Sequence, residues 1–405
     1  LELFDSPLIA LGYLLLAKSV LLLPRALPRD MLFAILNISA VGYLFSWGQS
    51  YWLLGSYVLL VLLQYTLTTR RLLRVGSGWI AIVFPVLVLL SLKYLPDQTY
   101  KALGLSSAGG VGPVFLGMVG LSYMAFRLSY ASVEIRNGVA DRPNAFQYLS
   151  YAFFLPTLFV GPISRLSAFL DSYGGPKEPQ QPWLDSLVRL SVGAVKFVFL
   201  ANVFSQFTFD SLLMDGSTHH WYELVVACVG YYLFLYFNFS GFCDVAIGLA
   251  GLLGIRVDEN FDNPFKSRNV QDFWNRWHIT LNRYMRDIVF TPMSKSLVRL
   301  VGARYLNYVV AFSLFVIFIL IGIWHGRQEQ FLYFGLIHAF AVSVTHGYGV
   351  LLKRRLGPAG YKRYMSNGLI TASARVLTFT YVSLSFLVFA NSPERIERIF
   401  SVLYF

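Results

Sequence analysis

Phe318-Ile319-Leu320-Ile321-Gly322-Ile323-Trp324-His325-Gly326 closes an apolar run that begins near residue 305. A helix that crosses the hydrocarbon core of a bilayer needs about 20 such residues, and it keeps its backbone polar groups bonded within itself. The run therefore reads as a membrane span. An ionisable side chain at membrane depth is costly and marks a pathway or a site. Desolvation disfavours the imidazolium and keeps His325 neutral, able to take a proton. The flanking Gly322 and Gly326 let another backbone or a substrate come close, and Trp324 supplies a large amphipathic wall. The plainer alternative is an interfacial histidine that marks the helix end.

The same window picks further runs near 8 to 23, 31 to 47, 51 to 69, 78 to 95, 113 to 133, 184 to 205, 221 to 237, 243 to 255, 329 to 350 and 370 to 390. About ten to eleven transmembrane helices are expected by the length rule. Composition agrees: of 405 residues, 56% are hydrophobic, 17% aromatic and 13% charged. The mean hydropathy is +0.57. Soluble domains carry about 25% charge, so a soluble enzyme is excluded. No fixed-period or half-to-half repeat is visible, and one all-α integral membrane domain over residues 1 to 405 is the simplest parse. The first run has acidic Glu2 and Asp5 before it and many runs after it, so it is expected to be a retained span rather than a signal peptide.

The net charge is +12, with the basic residues in short tracts between apolar runs. That distribution suits cytoplasmic loops, not a nucleic-acid surface. With the N-terminus outside, Arg25 and Arg29, Arg70, Arg71 and Arg74, Arg136 and Arg142, and a loop with Lys353, Arg354, Arg355, Lys362 and Arg363 all fall inside. The outside connection Ser46 to Ser50 has no basic residue. Gly174 to Pro182 reads as a loop between spans.

Two stretches break the span pattern. Residues 146 to 170 are apolar but interrupted by Pro156 and Gly161-Pro162, and residues 256 to 304 are rich in charge. Irregular backbone survives at membrane depth only when protein or a water-filled cavity shields it. Both stretches are expected to be re-entrant or interfacial elements that build a cavity.

Within the second stretch, Trp274, Trp277, Leu281, Met285 and Ile288 recur at three- and four-residue steps, predicting one amphipathic helix with His278 in its apolar stripe. Asp272 with Arg276, and Arg283 with Asp287, are spaced as i,i+4 pairs. His219 and His220 lie in a polar junction and read as loop residues. Cys228 and Cys243 sit in apolar surroundings and support neither a disulfide framework nor a metal site. No HExxH spacing, Cys pairing or carboxylate cluster stands beside His278 or His325, so no metal is expected, and the lack of a GxSxG elbow and a Walker A loop argues against a serine hydrolase and against nucleotide hydrolysis.

These residues carry a family resemblance. Tyr236-Phe237-Asn238-Phe239-Ser240-Gly241-Phe242-Cys243-Asp244 continues through Glu259-Asn260-Phe261-Asp262-Asn263-Pro264-Phe265, Trp274 to His278 and Arg286-Asp287. The whole resembles the core of the membrane-bound O-acyltransferases, in the subgroup of alginate O-acetylases and D-alanyl transferases. Gly161-Pro162-Ile163-Ser164-Arg165 and Trp324-His325-Gly326 agree, and the likeness covers about residues 113 to 390. It implies helices around a central tunnel, with His325 as the active-site histidine and His278 as the second motif histidine. Asn238, Asp244, Asn275, Arg276 and Trp324 become tunnel or substrate candidates. Asp244 either fixes an imidazole tautomer or pairs with an arginine. The Gly-Gly-Asn-Arg motif of the alginate branch is absent after Asp287, where Ile288 to Ser296 looks more like the D-alanyl branch, whereas Ser240 to Gly254 looks more like the alginate branch.

The expected activity is transfer of an acetyl or D-alanyl group from a cytoplasmic thioester to a hydroxyl of an extracytoplasmic polysaccharide, teichoic-acid-like polymer or partner protein. The donor is acyl-CoA or an acyl-phosphopantetheine carrier protein, and no permanently bound cofactor is expected. The site is a bacterial inner membrane, with the lipid bilayer as solvent and no nucleic-acid partner. A multi-spanning transporter without covalent chemistry is the alternative.

Overall fold

Apolar sequence in lipid has only its own backbone for hydrogen bonding, and helix is the local answer. The computed structural model describes residues 7–46, 51–69, 78–94, 112–173, 183–214 and 216–404. Among them five helical segments are long and apolar enough to cross a membrane: Trp183–Leu213, Trp221–Leu253, Ala303–His325, Glu329–Ser366 and Gly368–Ala390. Leu8–Leu21, Leu54–Thr69 and Gly78–Ser91 are shorter apolar helices. The runs near 31 to 47 and 113 to 133 fall in the helices Leu27–Ser46 and Gly112–Arg136. The chain is an all-α integral membrane protein. Arg70, Arg71, Arg74, most of the Ser46 to Ser50 connection and the loop Gly174 to Pro182 lie outside the described residues.

Two sequence expectations change. The runs 221 to 237 and 243 to 255 are one continuous helix of 33 residues, Trp221–Leu253. The polar residues between them, Asn238 and Ser240, lower hydropathy but include no proline to stop a helix. The basic tract 353 to 363 is helical rather than a loop, because Glu329–Ser366 continues through it and bends at Gly357, with φ 64°, just before Pro358.

The chain divides into two compact units, Leu1–Gly193 with Phe242–Asp258, and Ala194–Gly241 with Glu259–Phe405. In the first unit the stretch around Pro156 and Gly161 is indeed irregular. It runs as the helix Ala145–Ala152, a 3-10 turn Leu155–Thr157 and the helix Leu166–Tyr173. Asn144 starts the first of these with a reciprocal cap to Gln147.

Side chains from neighbouring helices supply the bonds that this backbone lacks. Arg127, fully buried in Gly112–Arg136, donates to the carbonyls of Tyr151 (2.8 Å), Ala152 (3.2 Å) and Thr157 (2.6 Å) and to Thr157 Oγ1 (2.7 Å). Glu134, two turns on, accepts from the amides of Leu166 (2.8 Å) and Ser167 (3.2 Å) and from Ser167 Oγ (2.7 Å), capping the next helix. Asn37 Oδ1 accepts from the Leu155 amide at 3.2 Å and from Tyr13 Oη at 2.8 Å.

In the second unit, Leu306–His325 and Glu329–Ser366 form a tight hairpin. They meet glycine to glycine. A Cβ on Gly335 would lie 2.7 Å from the Phe318 carbonyl oxygen and 3.1 Å from Gly322 Cα.

Two outcomes follow from this packing. Arg127→Met removes the guanidinium bonds of three buried carbonyls and should cost about 3 kcal/mol, read as unfolding of the purified protein in detergent. Gly335→Ala should cost about 2 kcal/mol by overpacking. Gly347→Ala, whose Cβ would meet nothing within 4 Å, should be neutral or slightly stabilising in the same assay.

Candidate active site

The predicted single amphipathic helix across residues 272 to 288 is in fact broken at His278. Val270–Arg276 and Ile279–Met285 are separate short helices. The first begins at Asn269, whose side chain accepts from the Asp272 amide at 2.8 Å. It ends because Trp277 leaves helical geometry and pairs antiparallel with Phe261. The pairing bonds are Asp262 N to Arg276 O and Ile279 N to Asn260 O, both 3.0 Å. His278 then takes a left-handed conformation, φ 47° and ψ 50°. An L-residue other than glycine or asparagine rarely sits there, at a cost of about 1–2 kcal/mol.

Asn260 holds this turn together. Its side chain is fully buried, and Oδ1 accepts from the Thr280 amide at 3.1 Å and from Thr280 Oγ1 at 2.8 Å. His278 Nδ1 lies 3.2 Å from the same oxygen. The His278 ring is buried edge-on against Phe239 of Trp221–Leu253, centroids 4.8 Å apart. Its Nε2 is buried without a hydrogen-bond partner among the described residues. Burial, with a smaller contribution from the neighbouring His325, pulls the His278 pKa down to about 3.

His325 ends the helix Leu306–His325. Its ring lies 4.6 Å from Trp324, 5.0 Å edge-on from Phe389 and 5.9 Å stacked on Phe331. Gly326 makes the last contact possible, since a Cβ there would fall 2.5 Å from the Phe331 ring. The Trp324 indole is also 6.3 Å from the His278 ring. The structure therefore brings His278, His325 and Trp324 into one aromatic cluster, with Asn238 next in sequence to the packing Phe239.

The other candidates stand differently. Arg276 bonds Asp272 through Nε and Asp262 through Nη1, each at 3.0 Å, tying the loop to the first short helix. Asn275 is exposed and accepts from Asn282 at 3.4 Å. Asp244 lies in the first unit, its carboxylate 2.6 Å from Arg189 Nε. Of its two expected roles, the arginine pair is the one seen.

A further buried histidine lies outside the sequence-derived set. His338 Nδ1 accepts from Trp274 Nε1 at 3.1 Å, which leaves Nε2 to donate to Ser385 Oγ at 3.0 Å. Both nitrogens are used, so His338 is a structural link between helices. Its position inside the apolar run 329 to 350 was the available signal. Among the described residues no group of three or more His, Cys, Asp or Glu side chains converges as metal ligands. Two imidazoles in an apolar, aromatic setting suit proton transfer and hydrogen bonding to a reacting group.

Comparison with known proteins finds acyltransferases. A teichoic acid D-alanyltransferase of Bacillus subtilis is 28% identical over 287 residues, covering 69% of this chain and 70% of that protein. A peptidoglycan O-acetyltransferase of Helicobacter pylori is 33% identical over 213 residues, 50% of this chain and 38% of its own length. A protein of Pseudomonas aeruginosa named a probable alginate O-acetylase is 27% identical over 233 residues, 57% of this chain and 43% of its own length. The model of the membrane-bound O-acyltransferase family, MBOAT, matches residues 32–387, a range that holds Asn260, His278 and His325. The chain belongs to the membrane-bound O-acyltransferase family.

Proposed function

We propose that this membrane-bound O-acyltransferase moves an acyl group from a cytoplasmic thioester to a hydroxyl of an extracytoplasmic envelope polymer, with His325 and His278 at the reacting centre. The observation that carries this is the clustering of the two histidines about the Trp324 indole. Both units act as one acyltransferase domain in a bacterial inner membrane with the N-terminus outside, as the family match across both units and the basic tracts support. The acyl group is D-alanyl or acetyl. The D-alanyl-transferring relative is matched over 70% of its length and the two O-acetyl-transferring ones over 38% and 43%, which favours D-alanyl.

In the step proposed, the hydroxyl oxygen attacks the thioester carbonyl while His325 removes its proton. The C–S bond then breaks, and the thiolate recovers that proton from His325. The ester and a free thiol are the products, and the histidine returns to its neutral form. A hydroxyl is a poor nucleophile until a base acts on it, so the loss of His325 should be felt in the chemical step.

The donor is acyl-CoA or an acyl-carrier protein. Lys353, Arg354, Arg355, Lys362 and Arg363 are all exposed, and such a face suits an acidic carrier or a CoA phosphate.

His325→Ala in purified protein given a labelled thioester donor should lower acyl transfer by about 10²–10⁴-fold. Undiminished transfer would remove His325 from the mechanism, and a protein with no covalent product under any donor would favour a transporter. Association of an acidic acyl-carrier protein should slow by about tenfold or more as salt rises. Association that ignores ionic strength would remove the basic face from donor docking.

A further inference from the structure

Asn260 touches His278 at a point that decides which imidazole nitrogen carries the proton. The backbone amide of Thr280 can only donate, and it points at the Asn260 side-chain atom 3.1 Å away. That atom is therefore the carbonyl oxygen, as assigned, and it has no proton to give. Thr280 Oγ1 donates to it as well, at 2.8 Å. His278 Nδ1, 3.2 Å from the same oxygen, can form a bond there only as a donor. A neutral imidazole has one N–H. With the proton on Nδ1, Nε2 carries a lone pair, and it is this atom that lies buried without a partner among the described residues.

We infer that Asn260 is a positioning residue: it locks His278 in the Nδ1–H tautomer, so that Nε2 accepts a hydrogen bond from an O–H or N–H group of the bound substrate and does not donate to the oxyanion. This rests on the reading that His278 stands at the reacting centre, and it divides the work of the two histidines. His325 moves the proton; His278 orients a substrate donor group. Stabilisation of the oxyanion then falls to other donors. The low pKa of His278, about 3, keeps it neutral through the physiological range, so the lone pair persists. The same three bonds hold the left-handed turn at His278.

The test is a 15N spectrum of the full-length protein in detergent, labelled at histidine, with the His278 signals assigned by their loss in His278→Gln. The expected result is a protonated Nδ1 and an unprotonated Nε2. A protonated Nε2, or an even mixture of tautomers, overturns the inference whatever the variants do. Asn260→Asp keeps an acceptor and should keep the tautomer, with kcat/KM for acyl transfer within about tenfold of the parent. Asn260→Leu should scramble the tautomer and lower kcat/KM by about 10²-fold, the scale of one oriented hydrogen-bonding group. An unchanged tautomer in Asn260→Leu would also sink the positioning role. If Asn260→Leu does not fold, the parent spectrum and Asn260→Asp still decide. The predicted tautomer in a protein with no acyl-transfer activity would instead contradict the proposed function and leave the Asn260–His278 geometry standing.

Discussion

Irregular backbone inside an apolar body has to find hydrogen-bond partners, and water is not there to provide them. The fold rests on this constraint. In the first unit, Arg127, Glu134 and Asn37 reach from regular helices to the amides and carbonyls of residues 151 to 167. In the second, Asn260 caps the turn at His278, and Asn282 donates to the Trp274 carbonyl at 3.0 Å. Each of these side chains is polar at a buried or half-buried place, where an isolated polar group would cost stability. Arg127 and Glu134 each make several bonds to this backbone, and Asn37, Asn260 and Asn282 each bond one of its groups.

The same devices make chemistry possible. A regular helix through residues 272 to 288 would place His278 in a stripe like any other core side chain. The bridge between Phe261 and Trp277 ends the first short helix, and Asn260 starts the second, so that His278 projects from a turn. His325 is presented by a different route. Its helix simply ends, and the glycines at 322 and 335 let the return helix come close enough to bring Phe331 and Phe334 beside the imidazole. A strained turn and a tight hairpin thus deliver two imidazoles to one aromatic cluster.

Much of this was legible in the sequence. Hydropathy alone marks the membrane class, and the Trp-His-Gly ending of the run near 305 to 325 singles out His325. The interruptions at Pro156 and Gly161 show where the irregular stretch lies. The break at His278 was hidden, because helical periodicity reports on which face is apolar and not on a competing acceptor 18 residues upstream. Asn260 stands out in the sequence only as part of a motif, since a buried asparagine and a surface one look the same there. The merger of two runs into Trp221–Leu253 was missed because hydropathy dips at Asn238 and Ser240 while helix propensity does not. His338 is hidden in the sequence for a related reason: its partners, Trp274 and Ser385, lie 64 and 47 residues away.

The central claim is that buried side chains, rather than solvent, hold the irregular backbone on which the site is built. Amide hydrogen exchange in lipid nanodiscs tests it at Leu166, Ser167 and Thr280, whose N–H groups donate to Glu134 and Asn260. The account predicts exchange as slow as in the middle of the helix Leu306–His325. Exchange at the rate of an exposed loop at these three amides would contradict it.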